Sequence, residues 1–159
     1  MFKPFLQLLD KVGRKRVVLD RQSQEPYLER YYVFLKDRKR FPFNVFLHKF
    51  LKSDPDDLHD HPWSYATLIL KGGYWEWLPQ FNNQGQKIGE LAVWRGPGHF
   101  RISRAESYHR IELDPDVECW TLFMPGPQRR EWGFLVRDGD KNKWVPHDNY
   151  LQNKRQCAL

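Results

Sequence analysis

Asp56-Asp57-Leu58-His59-Asp60-His61-Pro62-Trp63 is the stretch from which the rest of the chain can be read. Side chains alternate along an extended segment, so His59 and His61 leave the backbone on the same side. Imidazole is the commonest metal-binding side chain, and two of them one residue apart make a two-toothed clamp. The acidic run before the clamp and Pro62 after it frame a short extended piece between turns. Asp57 and Asp60 are candidate acceptors for imidazole N–H groups. In a fully extended segment, however, Asp60 points away from its two neighbours.

Strand signals surround this stretch on both sides. Upstream lie Arg30-Tyr31-Tyr32-Val33-Phe34-Leu35 and residues 43–51. Downstream come Ser64–Leu70, Tyr74–Leu78, Ile88–Trp94, Phe100–Ser103, Tyr108–Leu113 and Cys119–Met124. A last hairpin is expected from Glu131–Arg137 and Lys143–Val145 around Asp138-Gly139-Asp140, and a hairpin tip at Asn82-Asn83-Gln84-Gly85. Short β-rich runs punctuated by Gly and Pro predict an all-β sandwich or barrel. Ahead of them Phe2, Phe5, Leu6 and Leu9 share a helical face that Gly13 can end, which predicts a short N-terminal helix. The expected organisation is a helix and connector over 1–26, a barrel over 27–146 and a tail over 147–159. At 159 residues this is one domain.

Composition narrows the function classes. Aromatics reach 16% and the net charge is +6, with basic residues scattered at 11–16, 36–40, 129–130 and 154–155. Scattered basic turns are the mark of a solvated surface, and the chain has no groove-reading basic helix, so nucleic acid is not the expected partner. No apolar run approaches the roughly 20 residues of a membrane span. The start lacks a secretory pattern, and the two cysteines, Cys119 and Cys157, form no framework, so a cytoplasmic setting is expected. No phosphate loop, dinucleotide fingerprint, nucleophile elbow or Cys-x-x-Cys is present.

The clamp needs a third ligand. His109 opens a predicted strand some fifty residues later, beyond a hairpin, and an antiparallel barrel can bring that strand back beside the first. His48 is its rival, on the strand entering the same loop. His48 shares a face with Asn44, Phe46 and Phe50 and could instead line a cavity. Tyr32 and Arg30 share a face of the first strand, and an inward Arg30 or Arg101 would offer an anionic ligand a bidentate partner. Cys119 reads as a buried, inert thiol, the tryptophans as packing, and His99 and His147 as surface residues.

These motifs resemble the cupin superfamily. His59-Asp60-His61, followed by a strand that closes on Gly72-Gly73, is similar to its first signature. Gly96-Pro97-Gly98, followed by Arg104-Ala105-Glu106-Ser107-Tyr108-His109, is similar to its second. The resemblance covers roughly residues 43–125 and implies a double-stranded β-helix, a small jelly-roll barrel, with a divalent metal in its mouth. It implies His59, His61 and His109 as ligands. The family's glutamate position falls at Tyr65 or Ala66, which carry no carboxylate. The site therefore resembles the three-histidine variant of thiol dioxygenases of the cysteine dioxygenase type. Three neutral imidazoles leave a metal its full charge and open positions, which suits Fe(II), an anionic chelating substrate and O2. Zn(II), Ni(II) or Mn(II) would fit the same ligands. The expectation is a metal-dependent oxygenase of a small anionic molecule, with Tyr65 a candidate pocket or substrate-binding residue. The alternatives are a non-redox sugar or nucleotide-sugar isomerase, epimerase or lyase, and a non-catalytic ligand-binding cupin. The resemblance also makes a homodimer an expectation.

Overall fold

The computed structural model describes residues 3–21, 23–36, 41–54, 57–139 and 141–157, with side chains through residue 152. Phe2, Asp56, Asp140, the basic residues 38–40 and the side chains of Lys154, Arg155 and Cys157 lie outside that description.

The chain begins with helix α1, Lys3–Lys11. Its end is a Schellman turn: Gly13 takes φ +67°, Gly13 N donates to Asp10 O at 2.9 Å and Arg14 N to Leu9 O at 2.7 Å. Eleven described strands follow: β1 Lys15–Leu19, β2 Pro26–Tyr32, β3 Phe46–Phe50, β4 Tyr65–Lys71, β5 Tyr74–Phe81, β6 Lys87–Arg95, β7 Phe100–Ser103, β8 Arg110–Glu112, β9 Cys119–Pro125, β10 Gly133–Asp138 and β11 Lys141–Pro146. Helix α2, His147–Cys157, closes the order. The all-β class and the short N-terminal helix are as expected. Residues 15–19, expected as connector, instead pair antiparallel with β2, and residues 147–157, expected as tail, are helical. Both differences rest on non-local contacts, since neither segment has a strong pattern of its own.

Two antiparallel layers face each other. The first has the order β1-β2-β3-β9-β4-β7. Its registers (Arg30↔His48, His48↔Thr121, Thr67↔Phe123, Thr67↔Arg101) place Leu28, Arg30, His48, Phe50, Thr121, Phe123, Tyr65, Thr67, Arg101 and Ser103 on one inner face. The second layer contains the sheet β6-β5-β8 and the hairpin β10-β11. These two pieces are joined by the His-Asp-His segment, because His59 bridges both His109 and Phe134.

Between the layers, Leu28, Phe50, Ile69, Tyr74, Ile111 and Cys119 form the apolar floor. On the outer face of the larger sheet, Leu9 of α1 packs with Tyr31, Leu47 and Trp120. Full burial of one such leucine stabilises by about 2 kcal/mol. The β4–β5 turn depends on glycine: Gly72 has φ +69°, and a Cβ there would come within 2.3 Å of the Glu118 carbonyl oxygen.

Candidate metal centre

Backbone pairing aims the clamp. His59 N donates to His109 O and His109 N donates to His59 O, both at 3.0 Å, and His61 N donates to Ala105 O at 2.9 Å. On the other edge Asp60 N reaches Gly133 O at 3.0 Å. The segment is thus a strand tied on both sides, and alternation sends both imidazoles into the cavity. There His59, His61 and His109 converge, with one potential ligand atom from each lying within 4.8 Å of the others. His61 Nε2 and His109 Nε2 are 2.8 Å apart.

Glu76 decides the chemistry of His109. Glu76 Oε1 lies 3.1 Å from His109 Nδ1. A carboxylate accepts only, so Nδ1 carries the proton and Nε2 presents its lone pair to the cluster, by assignment from this hydrogen-bond geometry. Glu76 also receives Arg95 Nε at 2.8 Å and a close contact from Arg101 Nη1. Burial pushes the Glu76 carboxyl up, but its hydrogen bond and electrostatic attraction to His109, the nearby Arg101 charge and the Arg95 hydrogen bond outweigh it and hold it at about 2. Burial, reinforced by His109, lowers His59 to about 4 against the pull of Asp54. Burial and the two neighbouring imidazoles keep His61 well below its ordinary value. Burial thus keeps His59 and His61 as neutral donors, and three convergent imidazoles are the donor set of a divalent transition metal, so the residues fit the ion that the resemblance implies.

The remaining expected residues sort as follows. Tyr65 stands at the cluster, its hydroxyl 3.2 Å from His109 Nε2, and burial raises its pKa so that it stays a neutral phenol. His48 lines the cavity, is 4% exposed, and accepts from Arg30 Nε at 3.0 Å. Burial and the Arg30 charge hold His48 neutral. It is not at the cluster, so His109 takes the third place. Arg30 and Arg101 both line the cavity. Tyr32 does not; it packs edge-on against Phe46 at 5.3 Å.

Neither acidic candidate meets an imidazole through its carboxylate. Asp60 is fully buried on the opposite side, accepting from Gly133 N at 2.7 Å and Trp144 Nε1 at 3.0 Å and pairing with Arg130 at 2.7 Å. Strand alternation forces this, because its neighbours own the cavity face. The Asp57 carboxylate accepts from Tyr150 Oη at 2.6 Å, while its backbone carbonyl bonds the His59 ring.

Other residues enter the site without having been anticipated. Glu76 was missed because it lies two strands from the motifs. Its signal was a lone carboxylate at the same parity as buried Tyr74 in an aromatic strand. His99 and Trp63 also line the cavity, correcting the surface reading of His99. Trp132 lines it too, stacks on His147 at 4.7 Å, and has the Arg21 guanidinium 4.2 Å over its ring. The cavity measures ≈ 270 Å3. Four arginines line it (Arg21, Arg30, Arg95, Arg101) against three carboxylates (Asp20, Asp54, Glu76), so its charged lining leans positive.

No protein-family model matches the sequence, and no curated protein matches it either. Solved structures do match in shape. The polyketide cyclase RemF from Streptomyces resistomycificus aligns with a TM-score of 0.54 at 17% identity, over 71% of this chain and 74% of that one. Rru_A2000 from Rhodospirillum rubrum, a cupin-2 domain, aligns with a TM-score of 0.54 at 15% identity, over 79% and 78%. HppE in its Fe(II) form with an alternative substrate aligns with a TM-score of 0.52 at 8% identity, over 71% of this chain and 56% of that one. At these identities the likeness is one of fold.

Proposed function

We propose, from the premise that this chain has the cupin fold, that it is a metal-dependent oxygenase acting on a small anionic molecule. The observation that carries the metal is the convergence of His59, His61 and His109 with Glu76 fixing the tautomer of His109. The ion favoured is Fe(II), which would be held by these three rings and would supply open coordination positions where substrate and O2 meet. Fe(II) is also the metal named for HppE, a protein of like fold.

The chain's own groups have definable work. Glu76 keeps the His109 Nε2 lone pair aimed inward. Arg30, Arg95 and Arg101 give the cavity the positive potential an anion requires. Tyr65 offers a protonated hydroxyl at the cluster, able to donate to a ligand oxygen once His109 Nε2 is otherwise engaged. Trp132 and Phe134 pack against one side of His59, with ring centroids at 6.2 and 6.0 Å.

That neutral hydroxyl also supports a second reading, a non-redox reaction in which Tyr65 is the general acid. His48 is a poor general base for it, since Arg30 already occupies its Nε2. A cytoplasmic setting fits the buried free thiol of Cys119. A homodimer has support from Phe100 and Ile102, 55% and 73% exposed on the edge strand β7. The test is oxygen consumption by Fe(II)-reconstituted protein across a panel of thiols and small acids. Turnover that disappears in His59→Ala supports the oxygenase. Background uptake throughout, with substrate isomerised or cleaved anaerobically, replaces it with the second reading.

A further inference from the structure

The wall of the cavity beside the histidines is more polar than a metal site alone requires. β7 and the residue before it place His99, Arg101 and Ser103 on the cavity side, while Phe100 and Ile102 between them face outward. Arg95 reaches the same corner, since it and Arg101 share Glu76 Oε2. Trp63, just past the clamp, lines the same cavity. Among the described residues Trp63 Nε1 and His99 Nε2 are buried with no hydrogen-bond partner, and Ser103 Oγ is buried with the Tyr65 hydroxyl beside it. Ser103 is 3% exposed and sits opposite Tyr65 across the β4–β7 ladder. Two unpartnered buried nitrogens on one cavity wall are costly to leave without a ligand.

We infer that this wall is a second recognition site, built to hold a phosphate-type tetrahedral oxyanion carried by the substrate beside the three-histidine cluster. The inference rests on the reading of the cavity as a substrate site and names its substrate class. Charge favours an anion: Arg95 and Arg101 bring two positive charges and Glu76 returns one negative. Each guanidinium spends one N–H on Glu76 and keeps its others. The indole N–H can only donate, so the ligand must bring acceptors. Two guanidinia, an indole, an imidazole and a hydroxyl offer more donor groups than the two oxygens of a carboxylate can orient. The three terminal oxygens of a phosphate monoester or a phosphonate match them better.

Calorimetric titration tests this on the full chain, in chelator-treated and in Zn(II)-loaded form, with inorganic phosphate, methylphosphonate and acetate as probes. Phosphate and methylphosphonate are expected to bind both forms, and acetate at least tenfold more weakly. Trp63→Phe and Ser103→Ala are each expected to weaken phosphate binding about tenfold at unchanged circular dichroism, the loss of one hydrogen bond to a charged group. Arg101→Lys, which keeps charge but loses the fork, should do the same and serves if either variant misfolds. His59→Ala should lose metal and keep phosphate. Failure of phosphate to bind wild type that still binds metal overturns the oxyanion site and leaves the metal reading standing. Phosphate binding without any metal binding has the opposite effect. Unchanged affinity in all three wall variants, acetate binding as tightly as phosphate, or loss of phosphate in His59→Ala would each overturn the inference.

Discussion

Replacing Glu76 by Gln separates the electrostatic part of the site from its shape. The side chain is 3% exposed and touches His109, Arg95 and Arg101 through its two oxygens. Its carboxyl is held at about 2 against an ordinary 4.5. A depressed carboxyl stabilises the native state fully above its unfolded value, and that stability is lost as pH falls through the folded one. That depression corresponds to about 3 kcal/mol above pH 4.5, lost as pH falls toward 2. Gln preserves the volume and one acceptor but removes the charge and leaves two half-buried guanidinia without their counter-ion. Urea unfolding of chelator-treated protein at several pH values is the assay. Glu76→Gln should be about 3 kcal/mol less stable than wild type at pH 7, and the gap should close by about pH 2. Metal affinity should fall about 10- to 100-fold as His109 loses its anchor. A gap that is absent at pH 7, or that stays constant down to pH 2, would refute the assignment.

Three further expectations follow from the same contacts. In metal-free protein His59 is native-neutral to about 4 while the unfolded ring takes its proton near 6.5; stability should therefore fall as pH drops from 6.5 toward 4, by at most about 3 kcal/mol from His59, a residue only partly buried. His48 and His61 shift in the same direction, and a bound metal should deepen the loss; thermal melts at stepped pH with and without Zn(II) measure both. Asp60→Ala removes the buried partner of Gly133, Trp144 and Arg130 and should cost about 3–5 kcal/mol by urea unfolding, whereas an effect below about 1 kcal/mol would mean that the outer face of the clamp needs no anchor. Phe134, fully buried and stacked on Tyr150 at 3.9 Å between centroids, should cost about 3–5 kcal/mol as Phe134→Ala in the same assay.

What could be read in advance was whatever depends on local period and spacing. His59 and His61 share a face because strands alternate, and that rule holds wherever the strand lies. His109 was reachable because the intervening hairpin returns the chain to its neighbour, as the mutual His59–His109 hydrogen bonds show. Glu76 was not legible as a partner of His109, since that contact needs β5 to pair with β8, which the local sequence does not encode. His99 was misread for a similar reason: it precedes an edge strand whose inner face is defined only by pairing with β4. Asp60 was legible in direction but not in partners, because Gly133, Trp144 and Arg130 arrive from the far end of the chain. Tyr32 was placed by parity alone, and it packs edge-on against Phe46 instead of lining the cavity.

Elemental analysis of purified wild type beside His61→Ala, His109→Ala and His48→Ala tests the metal centre most directly. One equivalent of a divalent transition metal is expected in wild type and in His48→Ala, whose ring is committed to Arg30. Loss of that metal is expected in both His61→Ala and His109→Ala. Metal retained by His109→Ala but lost from His48→Ala, or no metal acquired by wild type after incubation with Fe(II) or Zn(II), would contradict a site built from His59, His61 and His109.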